Sequence, residues 1–190
     1  MDIAIYVVIG IVVVTALYGI SIYNGLVNLK HGVDKAWANI DVLLKQRHDE
    51  LPKLVETCKR YMQYEQETLN KVVEARAAVS KAREAGDVAA LGIAEGALRA
   101  GLGGLFAVAE AYPDLKADAS FQQLQSRISG LEDAIADKRE TYNESVNQNN
   151  VRIEQFPDVI VARMFAFREA RLLTFDDSEK RDVDMKALFE

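Results

Sequence analysis

Few residues in this chain have the types and spacing that chemistry needs. There are two histidines and one cysteine among 190 residues. His31 and His48 each lack a glutamate three positions earlier, so the Glu-x-x-His pairs that hold two metals in a helical bundle are missing. No His-Glu-x-x-His run occurs, and a lone cysteine offers no zinc spacing. Gly101-Leu102-Gly103-Gly104 is glycine-rich, but it lies inside an alanine-rich helical stretch and not after a strand, so it does not read as a phosphate loop. Neither histidine has a context that would make it the base of a nucleophilic triad. Cys58 falls on an apolar helical stripe and reads as a small buried hydrophobe. Trp37 sits beside the same stripe, as a packing anchor or as an interface residue near a membrane. His48, within Lys45-Gln46-Arg47-His48-Asp49-Glu50, has two readings: a polar contact at the surface or between helices, or a pH-sensitive contact beside Pro52. The expectation is a protein without catalytic residues, cofactor or metal, and not an enzyme.

The elements that would position these residues begin with an apolar run. From Ile3 to Ile22 no side chain is charged, and the softer positions are Gly10, Thr15, Gly19 and Ser21. At helical rise this run spans roughly 30 Å, the thickness of a bilayer's hydrocarbon core. Ile3, Val8, Val12, Leu17, Ile20 and Ile22 are thus expected to span a membrane, as a helix that satisfies its own backbone bonds. Tyr6, Tyr18 and Tyr23 mark its ends, where aromatic rings favour the interface. A cleaved signal peptide would show a basic start, a shorter core and a small-x-small exit; Met1-Asp2 and Gly19-Ile20-Ser21-Ile22 supply none of these. Lys30 and Lys35 follow the run and no basic residue precedes it, which places the short N-terminus outside and the following domain in the cytoplasm.

Beyond the run, apolar residues recur at helical spacing. Leu26, Leu29, Val33, Ala36, Ile40 and Leu43 form one stripe, continued by Leu54, Cys58, Tyr61, Val72, Ala75 and Val79. Pro52 predicts a kink or short break near Glu50–Leu51, and the unbroken phase favours a kink. Gly86 and Asp87 read as the end of this helix and the cap of the next. Residues 88–112 are rich in alanine and glycine, with Gly92, Gly96, Ala100 and Gly104 every four positions. Such a strip lets another backbone approach closely, and it is the candidate packing or oligomer face. Each interior glycine costs about 1 kcal/mol relative to alanine, so packing must hold this helix. A third stripe, Phe121, Leu124, Ile128, Leu131, Ile135, Tyr142, Val146 and Ile153, runs over about Ala119 to Gln155, with Lys138 and Asn149 close to its seam. A shorter helix is expected from Asp158 to about Arg171. No pair of strands with a tight turn is legible.

These readings give an all-α chain, an N-terminal transmembrane helix continuing into an antiparallel three- to four-helix bundle. Residues 1–23 would be the anchor, 24–171 the bundle, and 172–190 a charged tail that is partly disordered or docks as a last turn. The net charge of −6 argues against nucleic acid as a partner. The unpaired cysteine fits a reducing compartment.

Several stretches resemble the LemA family of bacterial membrane proteins. They are Tyr23-Asn24-Gly25-Leu26-Val27, the run from Val33-Asp34-Lys35-Ala36-Trp37 through His48-Asp49-Glu50-Leu51-Pro52-Lys53-Leu54-Val55-Glu56-Thr57, Glu74-Ala75-Arg76, Ala107 through Tyr112-Pro113-Asp114-Leu115-Lys116-Ala117, Phe121-Gln122-Gln123-Leu124-Gln125, Tyr142-Asn143 and Phe156-Pro157. Together they cover roughly residues 1–167 in order. The resemblance implies an N-terminal transmembrane helix and an antiparallel helical bundle at the bacterial inner membrane, with no agreed biochemical activity; the stripes themselves suggest coiled-coil packing. The glycine content of 92–104 and the tail after Arg171 depart from the family pattern. The function expected is a membrane-anchored scaffold, with the lipid bilayer, further copies of itself and other membrane or cytoplasmic proteins as partners. The alternatives are a membrane-shaping protein and a cryptic ligand-binding or enzymatic bundle.

Overall fold

The computed structural model describes residues 2–174, with side chains from residue 3 onward. The described chain is helical, without strands: α1 Asp2–Tyr61, α2 Gln66–Ala85, α3 Val88–Ala109, α4 Pro113–Ala117, α5 Ala119–Glu154 and α6 Asp158–Met164. The described residues group into two compact units, one of 2–39 with 140–172 and one of 40–139 with 173–174.

In the first unit, the apolar run of α1 is exposed from Ile3 to Ile20, as its candidate role as a membrane span requires. Burial begins at Ile22, which forms a small core with Leu26, Ile153 and Ala162. Trp37 packs on Tyr142 with ring centroids 5.4 Å apart, the packing role expected of it. Residues 23–39 are helical without interruption. The seam of α5 here is Tyr142, Val146, Asn149 and Ile153, all buried. After α6 the chain reverses at Ala166, which takes a left-handed φ of 56°. Asn150 then pairs with the backbone of Ala170 in both directions, each bond 2.9 Å, and the Tyr142 hydroxyl donates to the Arg171 carbonyl at 2.8 Å. These bonds explain why the last helix stops at Met164 and not near Arg171: the following residues spend their backbone groups on α5.

In the second unit, α2 and α3 form a helical hairpin, closed as the sequence indicates. Gly86 caps α2 with φ 64°, and the Asp87 carboxylate accepts from the Ala89 and Ala90 amides at 3.1 Å. Pro113 opens α4 at its first position, where no amide is missed. Of the expected stripes, Ile40, Leu54 and Cys58 on α1, Val72, Ala75 and Val79 on α2, and Phe121, Ile128 and Ile135 on α5 are buried, while Leu43, Tyr61, Leu124 and Leu131 are only half-buried. Lys138 is a correction. It is exposed: the buried column of α5 steps by seven through Phe121, Ile128 and Ile135, whereas Lys138 continues the column of Leu124 and Leu131, which are only half-buried.

The first stripe does not run as one helix to Glu84. The chain leaves helix over Met62–Glu65, where neither proline nor glycine stands. Two tertiary bonds flank this turn. The Tyr61 hydroxyl donates to Asp118 at 2.9 Å, and the Tyr112 hydroxyl donates to Glu65 at 3.3 Å. At Pro52, in contrast, α1 continues unbroken. Proline deprives the carbonyl four residues back, that of His48, of its helical donor. The Arg76 guanidinium supplies the replacement: its Nε donates to the His48 carbonyl at 3.0 Å, and its Nη2 lies 2.6 Å from His48 Nε2. The proline fault is repaired from α2.

This repair has a measurable cost when removed. Arg76→Met strands the half-buried His48 carbonyl and should cost about 1–3 kcal/mol in denaturant unfolding. Burial, then the charge of Arg76, hold His48 below the usual imidazole range, with Arg83 adding and Asp49 and Glu84 opposing. Its folded pKa lies below the unfolded one, so its contribution is present above about 6.5 and is lost as pH falls from there through the folded value. The unfolding free energy should therefore rise with pH across that window, less steeply in Arg76→Met.

Candidate functional site

The residues that depart most from an ordinary helical core lie in the second unit. On α1 the buried positions Ile40 and Leu54 are separated by two seven-residue steps, and the position between them is Arg47, only 1% exposed. On α3, Glu95 (3% exposed) sits among Leu91, Leu98 and Leu102, which are buried. On α5, Glu132 lies between Ile128 and Ile135. Each of these helices thus turns a charged residue inward among apolar ones. The three meet: Arg47 Nη2 donates to Glu95 and Nη1 to Glu132, while Nε finds no partner. Toward the surface, the nearly buried Glu50 accepts from Arg127 at 2.8 Å and from Lys53 at 3.3 Å.

The electrostatics follow from one cation facing two carboxylates. Burial alone would lower the Arg47 pKa, but the two carboxylates outweigh it and hold the guanidinium above its ordinary value. Burial pushes the Glu95 carboxyl up against the pull of Arg47, and Glu132 adds to that push. The arrangement is a fork that ties three helices together. A guanidinium locked between two carboxylates is neither acid, base nor nucleophile at neutral pH. Among the described residues no group of three His, Cys, Asp or Glu is placed to hold a metal ion. Cys58 is fully buried, its thiol pushed up to about 11 by burial.

The four residues of the small strip separate into different surroundings. Gly92 is buried, and a Cβ there would lie 2.1 Å from the Thr174 carbonyl oxygen, so glycine is what lets Leu173 and Thr174 pass over α3. Gly96 is half-buried, with open space around it. Ala100 and Gly104 are exposed and line, with Gly101, Ala97, Ala78 and Lys71, an open groove of about 580 Å³ between α2 and α3. Gly101 lies against α2, its would-be Cβ 3.5 Å from Val72 Cγ2.

The Arg47 fork was not read from the sequence. Its signal is the spacing: Leu26, Val33, Ile40, Arg47 and Leu54 fall seven apart, and a charge inside such a series must be paired.

Two outcomes test these sites. Arg47→Met leaves two carboxylates in the core and should cost about 3–5 kcal/mol, whereas Arg47→Met with Glu95→Leu and Glu132→Leu should recover most of that loss in the same unfolding measurement. Gly92→Ala should displace the segment at Leu173–Thr174 and speed amide exchange or proteolysis there, with α2 and α3 left folded.

Comparison with known proteins adds identity to this geometry. The description of the LemA family matches residues 36–186. The protein LemA of Metamycoplasma hominis is 28% identical over 170 residues, which cover 87% of this chain and 74% of that protein. Magnetosome protein MamQ 2 of Paramagnetospirillum magneticum is 31% identical over 77 residues, and magnetosome protein MamQ of Magnetospirillum gryphiswaldense 32% over 75. Each of those matches covers 40% of this chain and 28% of the magnetosome protein's own length. On the family match, which takes in well over half of its length, this chain belongs to the LemA family.

Proposed function

We propose that this protein is a membrane-anchored, non-enzymatic helical scaffold that presents helix faces to further copies of itself or to partner proteins at the bacterial inner membrane. The observation that carries the reading is α1. In one helix, exposed apolar side chains from Ile3 to Ile20 give way at Ile22 to a buried, one-faced stripe. An apolar surface of that length is at home in hydrocarbon, and membership in a membrane-associated family supports the same placement. The bilayer is thus the first partner. Lys30 and Lys35, which closely follow the run, favour a cytoplasmic bundle.

The face offered to a second copy is the open groove at Ala97, Ala100 and Gly104. Exposed small residues there would let a further helix approach closely, and the packing gained would offset the helix-weakening glycines.

Light scattering on the full chain in lipid nanodiscs or mild detergent tests the self-assembly. The wild-type chain should run as a dimer or larger, and Ala100→Glu with Gly104→Glu should run as a monomer. A wild-type monomer across the accessible concentration range would remove self-assembly from the reading and leave partner binding.

A further inference from the structure

We infer that α6 and its flanking turns form a second membrane contact, an apolar ridge laid into the headgroup–acyl boundary beside the point where α1 leaves the bilayer. The inference rests on reading Ile3–Ile22 as a membrane span.

Its basis is a cluster of exposed apolar side chains within the first unit. Ile160 (53% exposed) and Met164 (70%) stand one turn apart on one face of α6. Phe156 (82%) and Phe165 (56%) lie just before and just after the helix. Exposed apolar residues elsewhere, such as Val42, Val73 and Ile93, occur singly, which is normal for a protein surface. Four large ones within ten residues call for a cover.

Position says what covers them. The opposite face of α6 packs on the base of the span: Ala162 joins Ile22, Leu26 and Ile153 in one core, with Val161 and Phe167 against it. The Tyr23 ring lies between Phe165 and Phe167, with centroids at 4.7 and 5.8 Å. Ile22 is the last residue of the apolar run, and Leu26 is one turn beyond it. At about 1.5 Å per residue, α6 therefore sits within roughly one helical turn, ~6 Å, of the bilayer's hydrocarbon edge. That level is where aromatic and other amphipathic side chains partition favourably.

Charge agrees with the position. The whole chain is acidic, yet residues 152–171 carry four arginines, Arg152, Arg163, Arg168 and Arg171, against three acids. Arg152 is paired with the buried Asp158. Arg163, next to Met164, and Arg168, three residues after Phe165, are exposed, where long side chains can reach phosphate oxygens while their stems stay in the boundary. A second copy of the chain is the alternative cover, but α6 packs at the foot of the exposed span, and lipid is what covers the span.

Spin-label accessibility tests this on the full chain in phosphatidylcholine–phosphatidylglycerol vesicles. Single cysteines would be placed by Ile160→Cys, Met164→Cys, Val12→Cys and Tyr64→Cys, with the wild-type chain, whose one thiol is the buried Cys58, as the labelling blank. Tyr64 is 94% exposed in the second unit and serves as the aqueous reference. The expected result is a several-fold higher ratio of oxygen to nickel-complex accessibility at Val12, Ile160 and Met164 than at Tyr64. If Val12 reads as lipid while Ile160 and Met164 match Tyr64, the ridge is overturned and the span stands. If Val12 also reads as water, the span itself is wrong and the ridge falls with it. Low accessibility to both reagents at Ile160 and Met164 would mean a protein cover, and would equally overturn the proposal.

Discussion

An arginine that cannot lose its proton sits where a bundle would ordinarily place a leucine, and the arrangement of the second unit answers that constraint. Burying the Arg47 charge is tolerable only with its partners in place. They come from two other helices, Glu95 of α3 and Glu132 of α5. Sliding either helix by one turn would withdraw a carboxylate by about 5 Å and leave a bare charge in an apolar core. Leucine stripes alone tolerate such slips, because one apolar contact resembles the next. The fork therefore contributes register more than stability, as single polar residues do in coiled-coil seams.

The same logic of supply from a distance recurs in the backbone. Pro52 leaves a carbonyl without its donor, and Arg76 of α2 provides one. The turn at Met62–Glu65 is bracketed by tyrosine hydroxyls bound to carboxylates across 57 and 47 residues of sequence. Asn150 pairs with the backbone of Ala170 as a neighbouring strand would. In each case a side chain far along the sequence completes a local arrangement that the local residues leave open.

That pattern explains what could and could not be read beforehand. The apolar run, the three stripes, the Gly86–Asp87 junction and the buried Cys58 are local or periodic signals, and they were legible. The break at Met62–Glu65 was not, because no residue there forbids helix; the chain turns where tertiary bonds hold it. Pro52 allowed a kink or a break, and the helix runs on because a remote guanidinium supplies the missing donor. The last helix ends before its pattern implies, because Val159 through Phe167 keeps its apolar character past the reversal at Ala166. Arg47 was hidden in plain charge. Within Lys45 to Glu50 it looks like one more surface residue, and only its distance from Ile40 and Leu54 marks it as internal. The strip at Gly92, Gly96, Ala100 and Gly104 was legible as spacing but not as surroundings, since its members face a crossing chain, partial cover and open solvent in turn.

Cys58 carries a consequence for handling the protein. Its sulfur is shut inside the second unit and its proton is held more tightly than in free cysteine. Thiolate is the form that oxidises, so the native chain should be indifferent to air and to thiol reagents. A covalent dimer on a non-reducing gel would then report a chain that has opened, and not two folded copies that have met.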